Sequence, residues 1–183
     1  MTAIPLENQI GELLHSKLLK LTFAESCTGG LVGHRITNVP GSSEYYLGSI
    51  TTYTNQVKEH LLGVSIQTLR NHGAVSRECV LEMARGVRRV LRGDFPVDQV
   101  LGVSISGIAG PGGGSPDKPV GTVWIGMSTS NEEWAWQFHW QGDRIQNKEL
   151  SAQAALQLVV WYLQGNIPAE DWSGDDIKTK HLS

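Results

Sequence analysis

The sequence predicts a single layered α/β domain in which helices cover both faces of a mixed β-sheet. Three observations support this fold class. Short apolar and β-branched runs alternate with stretches of helical periodicity. Turns rich in glycine and proline separate the two kinds of segment. The 183 residues are enough for one domain that buries about 70% of the surface its unfolded chain would expose.

The elements alternate in the order expected for such a layered domain. The first twenty residues carry a helical pattern, and an apolar strand follows at 21–24. Further helices are predicted from 31, over 55–62, from 65 and over 76–91, with a second strand at 47–53. A buried strand at 100–106, a hairpin of 120–128 and 133–140, and a helix over 143–163 complete residues 1–164. From Gly165 the composition turns polar, so residues 165–183 are predicted to form a mobile tail.

The composition excludes several classes of protein. Acidic residues exceed basic ones by 18 to 15, for a formal net charge of −3, so the surface that a dedicated nucleic-acid binder needs is missing. Cys27 and Cys79 lack zinc-site spacing, and no apolar run is long enough for a signal peptide or membrane span. We therefore expect a cytoplasmic protein with no metal and no nucleic-acid or membrane partner.

A candidate nucleophile lies in segment 24–31, which reads Ala-Glu-Ser-Cys-Thr-Gly-Gly-Leu. The apolar strand delivers Ser26 into a tight turn that opens a helix. We expect Thr28 to cap this helix and the N–H groups of Cys27, Thr28, Gly29 and Gly30 to serve as donors to an oxyanion. The alternative is an ordinary strand-to-helix turn with a serine near the cap.

A lysine stands where local rules disfavour it. If Asn55 caps the next helix, Lys58 falls in its first turn, where the helix dipole disfavours a cation. The same dipole and partial burial would lower the pKa of Lys58 and make its amine a general base for Ser26. Tyr53, at the preceding strand end, would relay a proton or steady the amine. The alternative is a solvated surface lysine.

The loop after the third strand is rich in glycine and offers backbone N–H groups to an anion. It matches neither the Walker pattern nor the dinucleotide fingerprint, so a nucleotide triphosphate is not expected. Arg144, beside the predicted helix cap Asp143, is a candidate contact for a phosphate, with a surface ion pair as the alternative. The candidate substrate-binding positions in and before the loop are Ser106, Gly107, Ala109, Gly110, Gly112 and Gly113.

Six motifs in register resemble the C-terminal domain of CinA proteins. The resemblance covers residues 8 to 163, and its motifs are Glu-Ser-Cys-Thr-Gly-Gly at 25–30, Pro-Gly-Ser-Ser at 40–43, Tyr-Thr-Asn at 53–55 with Lys58, His-Gly-Ala-Val-Ser at 72–76, Ser-Gly-Ile-Ala-Gly-Pro-Gly-Gly at 106–113 and Lys-Pro-Val-Gly-Thr-Val-Trp at 118–124. The chain looks like a stand-alone member, without the preceding molybdopterin-binding-like domain and its pyrophosphatase activity.

The resemblance implies a nicotinamide-nucleotide amidohydrolase, which converts nicotinamide mononucleotide to nicotinic acid mononucleotide and ammonia without a cofactor or metal. Ser26 would attack the carboxamide, and Lys58 with Tyr53 would move the proton. From physical argument we assign the 5′-phosphate to the loop at 107–113, and Asn55 is a weaker substrate-binding candidate because capping accounts for it. Cys27 is a less favoured nucleophile.

Two other functional classes stay open. One is a non-catalytic binding protein on the same fold, with a role in competence or the damage response, and the other is a different amidase or esterase that uses the same residues. The alternating Trp134, Trp136 and Phe138 indicate core packing or a subunit contact, with stacking on a base as the less favoured alternative. Together with the resemblance, they lead us to expect a homo-oligomer.

Overall fold

The computed structural model describes residues 4–175 and residue 177, and it confirms the predicted α/β class. Most boundaries lie within two residues of those expected from the sequence. Among the described helices, none combines the length and the apolar character needed to cross a membrane. The helices are α1 (Leu6–Lys17), α2 (Leu31–Thr37), α3 (Asn55–Leu62), α4 (Ile66–Asn71), α5 (Arg77–Leu91) and α6 (Arg144–Gln164), and the strands are β1 (Lys20–Glu25), β2 (Tyr46–Thr51), β3 (Val100–Gly107), β4 (Thr122–Ser128) and β5 (Glu133–His139).

The five described strands form one mixed sheet in the order β2-β1-β3-β4-β5. β1 pairs in parallel with both β2 and β3, whereas β3, β4 and β5 pair antiparallel. Because β1, β2 and β3 run in the same direction, their carboxyl ends lie at the same edge of the sheet. Such an edge, where strands give way to helices, is where α/β folds gather their functional groups.

One face of the sheet packs against α1, α2 and α6 and forms the larger core. Phe23, Val103 and Ile125 come from three adjacent strands and share one buried core with Leu14 of α1 and Leu156 of α6. The alternation of apolar residues along each strand supplies this face, as period-two patterning requires.

The opposite face packs against α5, which approaches closely because the strand residues beneath it are small. A β-carbon at Gly102 would lie 2.3 Å from the Ala84 carbonyl oxygen, and one at Gly126 would lie 2.7 Å from that of Val80. Ser104 Oγ donates a hydrogen bond to the same Val80 carbonyl. These contacts fix α5 against the strands that lead into the site.

Residues 166–175 pack against the domain, which differs from the mobile tail expected from their polar composition. The Trp172 ring meets the rings of Phe138 and Trp161 edge-on, with centroids 5.4 Å and 4.7 Å away. Glu170 accepts a hydrogen bond from the backbone N–H of Ala135. A few apolar residues anchor this segment because they reach the aromatic side chains of β5 and α6. Residues 176 and 178–183 of the expected tail lie outside the described residues.

The alternating aromatic residues of β5 belong to the interior of the same chain. Trp136 and Phe138 are buried, and Trp134 is partly buried beside Tyr162. This strand therefore does not supply the exposed aromatic surface from which we expected a homo-oligomer. The homo-oligomer stays a prediction.

Candidate active site

Three strand ends bring the predicted functional segments together. β1 ends one residue before Ser26, and β2 ends just before Thr52. The N–H group of Ser26 donates to the Ile105 carbonyl of β3 at 2.9 Å, and that of Thr52 donates to the Glu25 carbonyl at 2.7 Å. These bonds continue the parallel pairing beyond the ends of β1 and β2. Ser26 is therefore held between its neighbours at the sheet edge.

Lys58 reaches Ser26 from α3. Its Nζ lies 3.0 Å from Ser26 Oγ and 2.7 Å from the carbonyl oxygen of Thr52, and it donates a hydrogen bond to each. Only 1% of Lys58 and 8% of Ser26 are exposed. A lysine is almost never this deeply buried unless a partner group binds its amine. The two groups expected to carry the chemistry thus share one buried hydrogen bond.

The protonation states around this pair favour a serine nucleophile. Burial lowers the pKa of the Lys58 amine, although a negative charge on Cys79 or Cys27 would oppose the shift. Burial also raises the pKa of Cys27 to about 12 and that of Cys79 to about 11. Both thiols stay protonated at neutral pH and are poor nucleophiles. A neutral Lys58 amine, in contrast, can accept the proton of Ser26.

Glu25, directly before Ser26, has a role that the sequence pattern did not single out. The residue is fully buried, and its carboxylate accepts hydrogen bonds from the N–H groups of Gly30, Val32 and Gly33 at 3.0, 3.1 and 2.9 Å. It thereby satisfies the open N-terminus of α2, where a negative charge is favourable. The sequence signal that could have revealed this role is an acidic residue shortly before a helix start. Glu25 fixes the turn that presents Ser26.

This arrangement corrects the predicted set of oxyanion donors. The N–H group of Gly30 is taken by the carboxylate just described, and that of Gly29 donates to the Ser26 carbonyl at 3.1 Å. Thr28 does not cap α2, whose N-cap is Gly30. The buried Thr28 hydroxyl has no hydrogen-bond partner within the described part of the chain. The backbone N–H groups of Cys27 and Thr28 are left as the candidate donors.

A small pocket of about 130 Å³ opens at Ser26. Arg144 donates hydrogen bonds to Tyr53 Oη at 2.8 Å and to the Gly110 carbonyl at 2.6 Å. We expected Tyr53 to assist Lys58, but its hydroxyl contacts Arg144 instead, and 60% of the residue is exposed. The pocket is lined by Ser26, Cys27, Tyr53, Gly107, Ala109 and Arg144.

The glycine-rich loop after β3 forms one wall of this pocket. Its first part is pinned to α6, because the Ala109 carbonyl accepts a hydrogen bond from Asn147 Nδ2 at 3.0 Å and the Gly110 carbonyl accepts one from the arginine described above. Gly112 and Gly113 follow in an exposed stretch that does not line the pocket. Their assignment to a substrate phosphate stays a prediction.

Two further predicted substrate-binding residues lie outside the pocket lining. Ser106 is buried, and its hydroxyl donates to the Ala74 carbonyl at 2.8 Å, which ties β3 to the loop before α5. Asn55 is the exposed first residue of α3. The cap of that helix is Thr54, which accepts a hydrogen bond from Val57 N–H at 3.3 Å, so the predicted cap was wrong by one residue.

Comparison with known proteins identifies the family. A model of the CinA C-terminal domain matches residues 3–163. The chain belongs to the CinA C-terminal domain family. A CinA-like protein of Salinibacter ruber is 48% identical over 154 residues, which cover 84% of this chain and 36% of that protein. The match between this CinA domain and the family model confirms the resemblance drawn from the six motifs.

Solved structures show the same fold. A CinA superfamily protein from Klebsiella pneumoniae aligns with a TM-score of 0.80 at 29% identity, covering 87% of this chain and 96% of that one. The competence/damage inducible protein CihA from Agrobacterium tumefaciens aligns with a TM-score of 0.76 at 33% identity, covering 90% and 99%. In contrast, the CinA domain described here spans between 35% and 38% of the length of the curated relatives it matches. The names of these proteins state no reaction.

Proposed function

We propose that this CinA domain is a nicotinamide-nucleotide amidohydrolase that converts nicotinamide mononucleotide and water to nicotinic acid mononucleotide and ammonia. The observation that carries the proposal is the buried contact of 3.0 Å between Lys58 Nζ and Ser26 Oγ. A hydroxyl beside an amine of lowered pKa is suited to attack on an amide or ester carbonyl. The choice of a nucleotide substrate rests on the motifs that resemble the family, and it places the reaction in pyridine nucleotide salvage.

In the first half-reaction, Ser26 Oγ attacks the carboxamide carbon while the neutral Lys58 amine takes the hydroxyl proton. The carbonyl oxygen of the substrate becomes an oxyanion, which the N–H groups of Cys27 and Thr28 would stabilise. In other hydrolases one such donor is worth about 2.7–4 kcal/mol. When the intermediate collapses, the bond between carbon and nitrogen breaks, and Lys58 returns its proton to the leaving ammonia.

In the second half-reaction, water replaces the amine. Lys58 takes a proton from the water as its oxygen attacks the ester carbon of the acyl-enzyme. The bond to Ser26 Oγ then breaks, and Lys58 returns the proton to the serine. The residues begin the next cycle in their original protonation states. Amide hydrolysis changes no oxidation state, so it requires no oxidant or reductant. Lys58 carries each proton that moves during the two half-reactions.

The pocket supports a division between reacting and recognising ends. The residues at one end, Ser26 and Cys27, are buried, and there we place the carboxamide of the substrate. Its outer end is formed by Tyr53 and Arg144. The ribose and phosphate would extend in that direction.

The direct test is ammonia release from nicotinamide mononucleotide by the purified protein. We expect Ser26→Ala and Lys58→Met each to lower kcat/KM by at least about 1000-fold while the protein stays folded. Ser130→Ala and Lys17→Met are matched controls, because both residues are exposed and outside the pocket lining. Unchanged turnover in Ser26→Ala would refute the proposed nucleophile.

The same assay separates the alternative functions. No turnover by the wild-type protein, with binding of the nucleotide retained, would favour a non-catalytic binding protein linked to competence or damage. Faster hydrolysis of free nicotinamide or of simple esters would favour a different amidase or esterase. The cytoplasmic location and the homo-oligomeric state stay predictions alongside the activity.

A further inference from the structure

A buried asparagine of α6 contacts the backbone of the candidate active-site pocket. Only 1% of Asn147 is exposed. Its Nδ2 donates hydrogen bonds to the carbonyl oxygens of Ala109 and Gly142, both at 3.0 Å, and its Oδ1 accepts one from the N–H group of Gly142 at 3.0 Å. The side-chain amide thus uses its nitrogen and its oxygen on backbone groups. A buried polar group with all these partners specifies one local arrangement.

The two backbone segments that Asn147 joins carry different walls of the pocket. Ala109 lines the pocket itself, in the glycine-rich loop after β3. Gly142 lies two residues before Arg144, which also lines the pocket and begins α6. One side chain therefore links the glycine-rich wall to the helix start that carries the arginine.

The turn before α6 packs closely on the asparagine. A β-carbon at Gly142 would lie 2.6 Å from Gln146 Cβ and 3.3 Å from Asn147 Oδ1, so the position admits no side chain without a shift. The backbone carbonyl of Asn147 accepts a hydrogen bond from Ser151 Oγ at 2.6 Å, and that oxygen accepts one from Trp140 Nε1 at 3.0 Å. The amide is thus supported by buried neighbours on both sides of the turn.

The hydrogen bond to Ala109 goes beyond the needs of a helix start. The two bonds to Gly142 stabilise the turn from which α6 begins. Ala109, in contrast, lies 38 positions before Asn147 and belongs to a different loop. The next carbonyl of that loop, from Gly110, is held by Arg144. Two side chains of α6 therefore hold two successive carbonyls of the glycine-rich wall.

We propose that Asn147 is a positioning residue, which holds the glycine-rich wall of the pocket in place and so determines how well the substrate fits. This inference rests on the proposed amidohydrolase activity and adds a residue outside the pocket lining. Ser26 and Lys58 are held by strand ends and by α3 instead. Asn147 therefore acts on substrate binding and leaves the proton transfer unchanged.

The kinetic test uses Asn147→Leu, which removes both donor hydrogens without adding a charge. We expect KM for nicotinamide mononucleotide to rise about 10-fold and kcat to change less than about 2-fold, with the pH profile unaltered. Asn147→Ser keeps one hydroxyl donor, so its KM should lie between those of the wild type and Asn147→Leu. The control is Asn131→Leu, because Asn131 is exposed in the turn between β4 and β5, outside the pocket lining.

Hydrogen exchange tests the same role without any turnover. In Asn147→Leu, the amides of residues 107–114 should exchange about 10-fold faster than in the wild type, while those of β1 keep their rate. Asn147→Ser serves for this measurement if Asn147→Leu does not fold. Equally faster exchange throughout the domain would show a general loss of stability and overturn the positioning role.

The two experiments separate failure of this inference from failure of the proposed activity. If the wild type releases no ammonia, the amidohydrolase proposal fails, and hydrogen exchange still decides whether Asn147 holds the loop. If the wild type is active, a KM equal to that of the wild type in the folded variants would refute the role of Asn147 in substrate fit.

Discussion

Lys58 Nζ donates a hydrogen bond to Ser26 Oγ across 3.0 Å, and both residues are buried. The lysine is held in place by a second hydrogen bond, to the Thr52 carbonyl at 2.7 Å. This carbonyl lies at the end of β2, whereas the serine follows β1. Two adjacent strands thus set the separation between the proposed base and the proposed nucleophile, so the pair is already in place in the structure without a ligand.

The rate should depend on pH through the protonation of Lys58. Only the neutral amine can accept the serine proton, and burial lowers the pKa of this amine from 10.5. We therefore expect kcat/KM to rise with pH and to level off below the pH at which a solvent-exposed lysine would titrate. A profile of kcat/KM from pH 6 to 11 measures this. An acid limb centred at pH 10.5 or higher would contradict the role of a Lys58 amine with a lowered pKa.

Tyr53→Phe should affect substrate binding more than chemistry. The hydroxyl contacts Arg144, so its loss should loosen the recognising end of the pocket and lower kcat/KM by about 3- to 10-fold, chiefly through KM. The pH profile should keep its wild-type shape. Steady-state kinetics at several pH values distinguish this outcome from a proton relay, which would lower kcat and alter the acid limb.

Glu25→Gln should reduce both stability and turnover. An amide offers one acceptor oxygen where the carboxylate offers two, so at least one of the three N–H groups of α2 loses its partner. We expect the free energy of unfolding to fall by about 2–3 kcal/mol. Turnover should fall because the Ser26 turn is no longer fixed. Urea denaturation and kinetics test this, with the exposed Glu12→Gln as control. A kcat equal to that of the wild type in Glu25→Gln would argue against a role of Glu25 in positioning Ser26.

Trp172→Ala should destabilise the domain although the residue lies in a polar segment. Its ring packs against Phe138 and Trp161, and losing these contacts should cost about 2 kcal/mol. Thermal denaturation would show a lower Tm than for the wild type or for Ser173→Ala, whose side chain is exposed. Equal melting temperatures would mean that residues 166–175 contribute little to the fold.

The candidate catalytic pair could be found from the sequence because each member stands at a recognisable local boundary. Ser26 follows an apolar strand, and Lys58 breaks the charge preference of a helix start. The contact between Tyr53 and Arg144 joins residues 91 positions apart, so no local pattern encodes it. The candidate oxyanion donors were partly misassigned because the Glu25 carboxylate takes the N–H group of Gly30 and the Ser26 carbonyl takes that of Gly29.

The tail shows a different limit of sequence-based prediction. A window of residues around Trp172 is polar on average, and average polarity is the signal for disorder. The side chain nevertheless reaches the aromatic residues of β5, a partner that only the fold supplies. The ring contacts of Trp172 hold the segment against the domain although its neighbours are polar. Composition alone does not reveal which residue makes such contacts.

The hydrogen bond from Ala135 N–H to Glu170 bears on how copies of this chain could associate. β5 is the last strand on its side of the sheet, and exposed strand edges invite pairing with another molecule. At Ala135 that edge is already occupied by the chain's own carboxylate. A neighbouring molecule that sought to extend the sheet there would first have to displace this segment, which protects the molecule against unwanted edge-to-edge aggregation.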